Sequence, residues 1–159
     1  MASRPSALQR ELRQRKPFAS RSHEGAVALL RTADVVRRRT SAALEEHDIT
    51  PQQYNVLRVL RGAEPEGLPT LEIADRMVER TPGITRLLDR LEAKKLIGRT
   101  RGSADRRCVV CRISPPGLSL LASLDAPVAE ANEALFRGLS AADVDRLLGL
   151  LESIRAGAG

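Results

Sequence analysis

The sequence predicts a mainly α-helical protein with one small β-hairpin, and three observations lead to that fold class. Apolar residues make up 42% of the 159 residues but aromatic residues only 2%, so Leu, Ala, Val and Ile must fill the interior. Most of the chain after residue 23 places apolar residues at spacings of three and four, which is typical of helices. Residues 97–113 instead join two β-branched segments through turn-forming residues.

The first two predicted helices differ in how clearly they are delimited. Residues 24–44 have the periodicity of one long amphipathic helix. The next helix has explicit signals at both ends. Thr50 can cap it, Pro51 suits the first helical position, Gln53 completes a capping box, and Gly62 supplies a stop.

A short helix is predicted over 70–77, with Leu71, Ala74 and Met77 on one face. Only three residues separate it from Thr81 and Pro82, which are expected to cap and begin the following helix. Two helices joined by so short a turn must cross at a steep angle.

The helix that begins there has two distinct faces. Its apolar residues fall at positions i, i+3, i+4 and i+7 and should form one buried stripe: Ile84, Leu87, Leu88 and Leu91. The opposite side presents Thr85, Arg86, Asp89 and Arg90. Gly83 keeps the first turn bare, so that a bulky surface could approach free backbone N–H groups.

A hairpin follows this helix, with strands predicted at 97–101 and 107–113 and a tip at Gly102–Arg106. Helical spacing resumes at Leu118 and is interrupted at Gly138. The last helix starts from a capping box of Ser140 and Asp143, and its 144–154 stripe is almost entirely leucine. Because a chain this small cannot cover all these apolar faces itself, we expect burial across a two-fold axis in a homodimer.

Charge is unevenly distributed along the chain. The net charge is +6, but residues 76–112 contain eleven basic and four acidic residues, a local charge of +7. Such a concentration fits a polyanionic partner, although a solubilising surface is the alternative. Residues 1–21 contain six basic residues and one acid. We predict that this basic leader is partly disordered or packed on the dimer.

Other classes of function have little support. The sequence lacks an apolar run long enough to span a bilayer and an apolar signal segment, so we expect a cytoplasmic protein without a membrane partner. No clustered His, Cys and carboxylate set, phosphate loop or G-x-S-x-G turn is found, so an enzyme and a cofactor are not expected. His23 and His47 suit surface or capping roles.

Cys108 and Cys111 have C-x-x-C spacing, which raises the alternatives of zinc binding and redox chemistry. Residues three apart on a strand point to opposite faces, and a structural zinc site needs four ligands. We therefore favour strand packing, with a thiol-based oxidation sensor as the alternative. Cys108 is then the more reactive thiol, because the neighbouring Arg107 favours its thiolate.

The order helix, turn, helix and basic hairpin suits duplex DNA. The second helix can lie in the major groove, with Thr85 and Arg86 near base edges, while a hairpin arginine enters the minor groove. The phrases "ITPQQYNVLRVL", "LPTLEIADRM", "TPGITRLLDRLEAKKLIGR" and "SADRRCVVCRISPPG" resemble the MarR-type winged-helix transcriptional regulators over residues 24–155. The resemblance implies a winged helix-turn-helix domain at 50–116 and dimerisation helices at 22–48 and 117–159.

By that resemblance, 81–90 is the recognition helix and Asp105 in the wing orients an arginine, while Arg106 or Arg107 enters the minor groove. The sequence departs from the family pattern at Lys95, where glycine is common at the helix end; a left-handed Lys95 would be strained, so this end could differ locally. The expected DNA-binding residues are Thr81, Gly83, Thr85, Arg86, Arg90, Asp105, Arg106 and Arg107.

The resemblance also implies a function and its partners. A homodimeric repressor would bind double-stranded DNA at a pseudo-palindromic operator, and a small-molecule effector would lower its DNA affinity. Tyr54 either lines the effector pocket or packs in the core. The alternatives are a winged-helix module that binds protein or nucleic acid non-specifically, and a thiol-based redox-sensing regulator.

Overall fold

A computed structural model describes residues 4–80, 82–101 and 109–157 and confirms the mainly helical class. The elements are α1 (Ala7–Glu11), α2 (Arg21–Leu44), α3 (Pro51–Arg61), β1 (Leu68–Pro69), α4 (Thr70–Arg76), α5 (Ile84–Ala93), β2 (Ile97–Arg101), β3 (Val109–Ile113), α6 (Pro115–Phe136) and α7 (Ala141–Ala156). The chain divides into two compact units, 1–39 and 40–159. Within the described ranges, every helix is too short or too polar to cross a membrane.

Helix α2 begins three residues before the predicted start. Ser20 accepts a hydrogen bond from the His23 backbone N–H at 3.0 Å, which supplies a cap that the periodicity alone did not reveal. The three consecutive arginines at 37–39 are exposed.

Helix α3 follows its sequence signals closely. The side chain of Thr50 accepts from the Gln53 N–H at 3.2 Å, and the Thr50 N–H donates to the Gln53 side chain at 3.0 Å, so both halves of the capping box form. Pro51 occupies the first turn and Gly62 is the C-cap. Arg61 at the end of this helix donates to both carboxylate oxygens of Asp125 on α6 at 2.9 and 3.0 Å.

The sheet contains a strand that the sequence analysis missed. Strand β1 pairs antiparallel with β3, Leu68 opposite Cys111 and Pro69 opposite Val110, and the sheet order is β1-β3-β2. The predicted two-stranded hairpin is therefore part of a three-stranded sheet. Two residues are too few to show the period-two alternation of a strand, and proline, which lacks an N–H, is confined to an edge position such as this one.

The predicted buried face of α4 is partly wrong. Leu71 is 79% exposed, whereas Ile73 is fully buried and Met77 packs against the core. Helix α4 has only seven residues, fewer than two full turns, so its apolar residues are compatible with two different stripes. Ile73 and Met77, which are four residues apart, pack into the core and so define the buried stripe.

The predicted start of α5 is also wrong. Gly83 has φ +85° and forms the N-cap, so the first helical residue is Ile84 and Pro82 lies in the preceding turn. The Leu87 N–H donates to the Gly83 carbonyl at 3.3 Å. A left-handed conformation that glycine tolerates at this position replaces the expected Thr and Pro pair. Thr81 lies outside the described residues.

The end of α5 keeps regular geometry in spite of lacking glycine. Lys95 has φ +59°, and its N–H donates to Glu92 O at 2.8 Å while the Leu96 N–H donates to Leu91 O at 3.0 Å. These two bonds form a complete Schellman motif. The strain expected at Lys95 is therefore accommodated in an ordinary helix end, and the expected local difference does not occur.

Replacing Lys95 with glycine is expected to stabilise the protein by about 0.5–1 kcal/mol. A left-handed residue with a side chain costs about 1–2 kcal/mol, and the greater chain entropy of unfolded glycine offsets part of that gain. Urea unfolding of wild type and Lys95→Gly at equal protein concentration measures the difference. A destabilised variant would mean that the Lys95 side chain stabilises this turn by more than its backbone strain.

The apolar interior of unit 40–159 lies between α3, α5, α6 and the sheet. Helix α6 starts at Pro115, three residues earlier than the periodicity indicated, because Ser114 caps it by accepting from the Gly117 N–H at 3.2 Å. The largest fully buried side chains among the described residues are Leu44, Val56, Leu57, Leu60, Ile73, Leu88, Leu91, Cys111, Leu121 and Leu124. Helix α7 has the predicted capping box of Ser140 and Asp143 but no buried residue.

Candidate nucleic-acid interface

Helix α5 lies with one face in the core and the other exposed, as predicted. Leu88 and Leu91 are 1% and 0% exposed, and Ile84 and Leu87 pack against the same core. The opposite face exposes its polar residues, Thr85, Arg86, Asp89 and Arg90. Buried leucines therefore fix the rotation of the helix, and that rotation decides which side chains a partner can reach.

Arg99 on β2 joins the hairpin to α5. Its Nη1 donates to Asp89 Oδ1 at 2.7 Å and its Nη2 to the Thr85 carbonyl at 3.4 Å. Its Nε lies 3.6 Å from Glu92 Oε2. The Arg99 side chain is only 20% exposed, whereas its partners Asp89 and Glu92 are 56% and 45% exposed. We infer that Arg99 fixes the spacing and rotation of α5 relative to β2.

Sequence reasoning did not identify this arrangement, because Arg99 could equally have contacted phosphate or solvent. A signal was nevertheless present. Asp89 and Glu92 are three residues apart on one edge of the helix, and Arg99 follows in the adjacent strand.

The contacts of Arg99 divide the exposed face of α5 into two parts. Asp89 and Glu92, the acidic residues of this helix, both lie beside Arg99. Across the described ranges, neither the Arg86 nor the Arg90 guanidinium has an ion pair with a carboxylate. The helix thus presents two cationic side chains whose charge is not locally neutralised, the arrangement that a phosphate backbone or a guanine edge can bind.

The predicted hairpin beside α5 forms, and its strands pair over five residues each, from Ile97 opposite Ile113 to Arg101 opposite Val109. Arg112 on β3 donates to Pro65 O at 3.2 Å and to Thr100 Oγ1 at 2.7 Å, so it holds the α3–β1 connection to the sheet. The expected wing residues Asp105, Arg106 and Arg107, together with Cys108, lie outside the described residues.

A surface cavity of about 610 Å³ adjoins the C-terminal half of α5. Lys94 at its edge donates to Asp48 Oδ2 at 2.8 Å and to the Asp48 carbonyl. Lys94 thereby lowers the pKa of the Asp48 carboxyl. The residues that line the cavity are Glu45, Asp48, Ile49, Thr50, Gln53, Arg90, Ala93 and Lys94. A ligand here would lie beside Arg90 on the exposed face of α5.

The other singled-out residues serve the interior. Tyr54 is 7% exposed, does not line this cavity, and packs in the core with the Arg58 guanidinium 5.9 Å from its ring centre. Cys111 is fully buried, as predicted for strand packing, and its burial raises the pKa of the thiol. In the part of the chain that the structure describes, no group of three His, Cys, Asp or Glu residues is placed to hold a metal ion.

A helix-turn-helix with a hairpin packed beside its second helix defines a winged-helix protein. The sequence profile of the MarR family matches residues 47–107. A MarR transcription factor from Planctomyces limnophilus is 38% identical in sequence, with a TM-score of 0.66 over 85% of this chain and 98% of that one. The chain belongs to the MarR family.

Three further relatives extend the comparison. The MepR–DNA complex of S. aureus is 25% identical, with a TM-score of 0.76 over 83% of this chain and 96% of that chain. The HTH-type transcriptional repressor MdtR of Bacillus subtilis (strain 168) is 36% identical over 75 residues, 47% of each chain. The alignment spans 47% of MdtR and 63% of a putative transcriptional regulatory protein of Thauera aromatica, which is 31% identical over 106 residues.

Proposed function

We propose that this protein is a homodimeric transcriptional repressor that binds a specific DNA sequence. The observation that carries the proposal is the exposed face of α5. Arg86 and Arg90 lie there without an acidic partner in the described ranges, on a helix whose orientation Arg99 and two buried leucines fix. A preorganised cationic helix is what major-groove recognition requires, because a loosely held side chain loses more entropy when it binds.

The proposed arrangement assigns residues 50–116 to DNA binding and 22–48 and 117–159 to dimerisation. The apolar surface of α7 supports the second part. Leu148, Leu150 and Ile154 are 58%, 58% and 53% exposed, a concentration of apolar surface that favours a partner. A two-fold dimer would place two copies of α5 roughly 34 Å apart, one turn of DNA.

The names of relatives support this proposal. MepR of S. aureus has a structure in complex with DNA, and MdtR of Bacillus subtilis is named a transcriptional repressor. We propose the same activity here, without an enzymatic reaction. We propose the wing residues Asp105, Arg106 and Arg107 as further DNA contacts, with Thr81, Gly83 and Thr85 near the start of α5.

We further propose that a small-molecule effector controls DNA affinity, and the cavity beside α5 is its candidate site. A ligand that contacts Arg90 and breaks the Lys94–Asp48 pair would favour an arrangement of α5 different from the one that binds DNA. It would thereby lower the DNA affinity. Because both cations and carboxylates line the cavity, a polar ligand suits it better than a hydrocarbon.

Selection of bound duplexes from a randomised library, followed by a salt titration on the selected and a scrambled duplex, tests the function. We expect a preference of roughly 10³-fold or more for the selected duplex. Equal affinity for both duplexes would contradict sequence-specific recognition and favour a module that binds nucleic acid non-specifically. Binding to neither duplex would favour a protein-binding module.

Within that assay, Arg86→Ala is expected to weaken binding to the selected duplex by about 1–3 kcal/mol and to relax the base preference at one position. The physical reason is loss of a bidentate contact between the guanidinium and a base. Arg146→Ala, which removes an exposed arginine from α7, is the matched control and should change affinity little. An equal loss on all sequences would assign Arg86 to phosphate contact instead.

A further inference from the structure

The basic leader contains a regular, capped structure within unit 1–39. Ser6 caps α1 by accepting from the Gln9 N–H at 3.1 Å. After the helix, the Arg13 N–H donates to Arg10 O at 3.1 Å and the Gln14 N–H to Gln9 O at 3.0 Å, a second Schellman motif. The segment 13–16, here termed the basic turn, therefore follows directly from a defined helix end.

Two features hold the basic turn in place. Gln9 is a buried polar residue whose Nε2 donates to Gln14 O at 3.3 Å, which closes the turn from inside. Arg31 of α2 donates to Glu11 of α1 at 2.8 Å. The turn thus has a defined backbone, and the exposed Arg31–Glu11 ion pair connects the leader to the first half of α2.

The acidic residues of this unit are already engaged with other arginines. Glu11 binds Arg31, Glu24 binds Arg21 at 3.0 Å, and Asp34 binds Arg38 at 3.0 Å. The basic turn consists of Arg13, Gln14, Arg15 and Lys16, and its three cationic side chains are exposed. Among the described residues no carboxylate pairs with any of these three.

Arg13 also occupies a position where glycine would be less strained. Its φ is +51°, in the left-handed region. A side chain at a left-handed position is strained, whereas a cation beside a helix C-terminus is favoured by the helix dipole. The helix end at Arg13 therefore has the same geometry as the one at Lys95, and it places the Arg13 side chain at the start of the basic turn.

We propose that the basic turn binds the phosphate backbone of DNA outside the base pairs that α5 reads. The inference rests on the proposed function, because a repressor bound to its site holds the leader at high local concentration near flanking DNA. Three unpaired cations on a fixed backbone match phosphates without selecting bases. A membrane surface fits less well, since the turn has no aromatic or aliphatic side chain to insert.

The test compares the full-length protein with Arg13→Gln/Arg15→Gln/Lys16→Gln on two duplexes. One contains only the selected site, and the other extends it by about one helical turn on each side. Glutamine removes the charge while keeping a side chain of similar length, and leaves the strain at position 13 unchanged. The matched control, Arg39→Gln/Arg137→Gln/Arg146→Gln, removes the same charge from exposed arginines elsewhere.

We expect the leader variant to bind the long duplex about tenfold to a hundredfold more weakly at about 0.1 M salt, and to bind the short duplex like wild type. For binding to the long duplex, the logarithm of the association constant is plotted against the logarithm of the salt concentration. The magnitude of its slope should fall by about 3 per leader, since each phosphate contact contributes about 0.9 to that slope. Base preference should be unchanged, because phosphate contacts carry no sequence information.

Several results would overturn the proposal. One is equal affinity of variant and wild type for the long duplex, and another is an equal loss in the matched control, which would indicate a general charge effect. A third is loss of binding to phosphatidylserine-containing vesicles with DNA affinity unchanged. These three results would refute only the contact between the leader and DNA. The proposed function itself would fail if the wild-type protein showed no preference for the selected site.

Discussion

Leu148→Asp is expected to convert the proposed dimer to monomer and to abolish tight binding to the proposed operator. Leu148 is 58% exposed within the chain and lies on the apolar stripe of α7, which we propose as part of the dimer interface. In a two-fold interface each substitution occurs twice, so two carboxylates would be desolvated in an apolar seam. A loss of about 4 kcal/mol or more in dimer stability corresponds to roughly a 10³-fold higher dissociation constant.

Sedimentation across a range of protein concentrations measures this effect, with circular dichroism to show that the monomer stays folded. Gly149→Asp is a matched control. Gly149 lies on the opposite side of α7, where an added Cβ would meet nothing within 4 Å. The control should remain dimeric. A folded Leu148→Asp protein that sediments as a dimer would show that α7 is not at the interface.

Loss of the dimer should affect DNA binding more than any single contact does. In the proposed complex one α5 would read one half-site, so a monomer would lose the second set of contacts and the gain in effective concentration that comes from linking the two. The Arg86→Ala loss of about 1–3 kcal/mol is accordingly the smaller effect.

The sequence predicted the elements whose signals are local and redundant. For α3 and α7, the N-cap, the reciprocal residue three positions later and the apolar spacing all agree, and both capping boxes form. For α5, four apolar residues over two turns fix the buried face without reference to the rest of the fold. Hairpin pairing between β2 and β3 was predictable because the two strands are close along the chain.

The missed features depend on contacts that are distant in sequence. Strand β1 exists only because Leu68 and Pro69 meet β3 more than forty residues later. The buried face of α4 is decided by what Ile73 packs against, and its seven residues could not indicate that alone. The start of α5 depends on the backbone of Gly83, whose left-handed conformation overrides the expected Thr and Pro signal.

The candidate site shows the same division. Exposure of Arg86 and Arg90 follows from helical periodicity, so sequence could identify them as available cations. The role of Arg99 could not be derived, because it depends on how β2 is spaced from α5. An arginine that pairs with two carboxylates, such as Arg99, holds neighbouring elements in place. An arginine without an acidic partner can bind a ligand. Only the structure distinguishes these two cases.

The connection between α3 and β1 rests on one glycine. Gly67 has φ +73°, and a Cβ there would lie 2.4 Å from the Cys111 carbonyl oxygen and 2.5 Å from Arg112 Cγ. Its N–H donates to Ala63 O at 2.9 Å. The close approach allows the backbone just before Leu68 to lie against β3, and so allows β1 to pair with it.

Gly67→Ala is therefore expected to destabilise the protein by at least about 3 kcal/mol, because the methyl group adds a backbone clash to left-handed strain. For a domain of this size that loss lowers Tm by roughly 10 °C. The chain provides a matched control at the other end of the same connection. Gly62 has φ −71°, and a Cβ there makes only ordinary contacts at 3.6 Å.

Gly62→Ala should leave stability unchanged or raise it by about 0.5 kcal/mol, since alanine loses less entropy than glycine on folding. Thermal and urea unfolding of both variants measure the contrast. One protein concentration is used throughout, because formation of the proposed dimer would make Tm depend on concentration. Equal midpoints would mean that the connection can move away from Cys111 at little cost. In that case the pairing of β1 with β3 would contribute little to stability. The orientation of α5 would then be set by its packing on α3 and by Arg99.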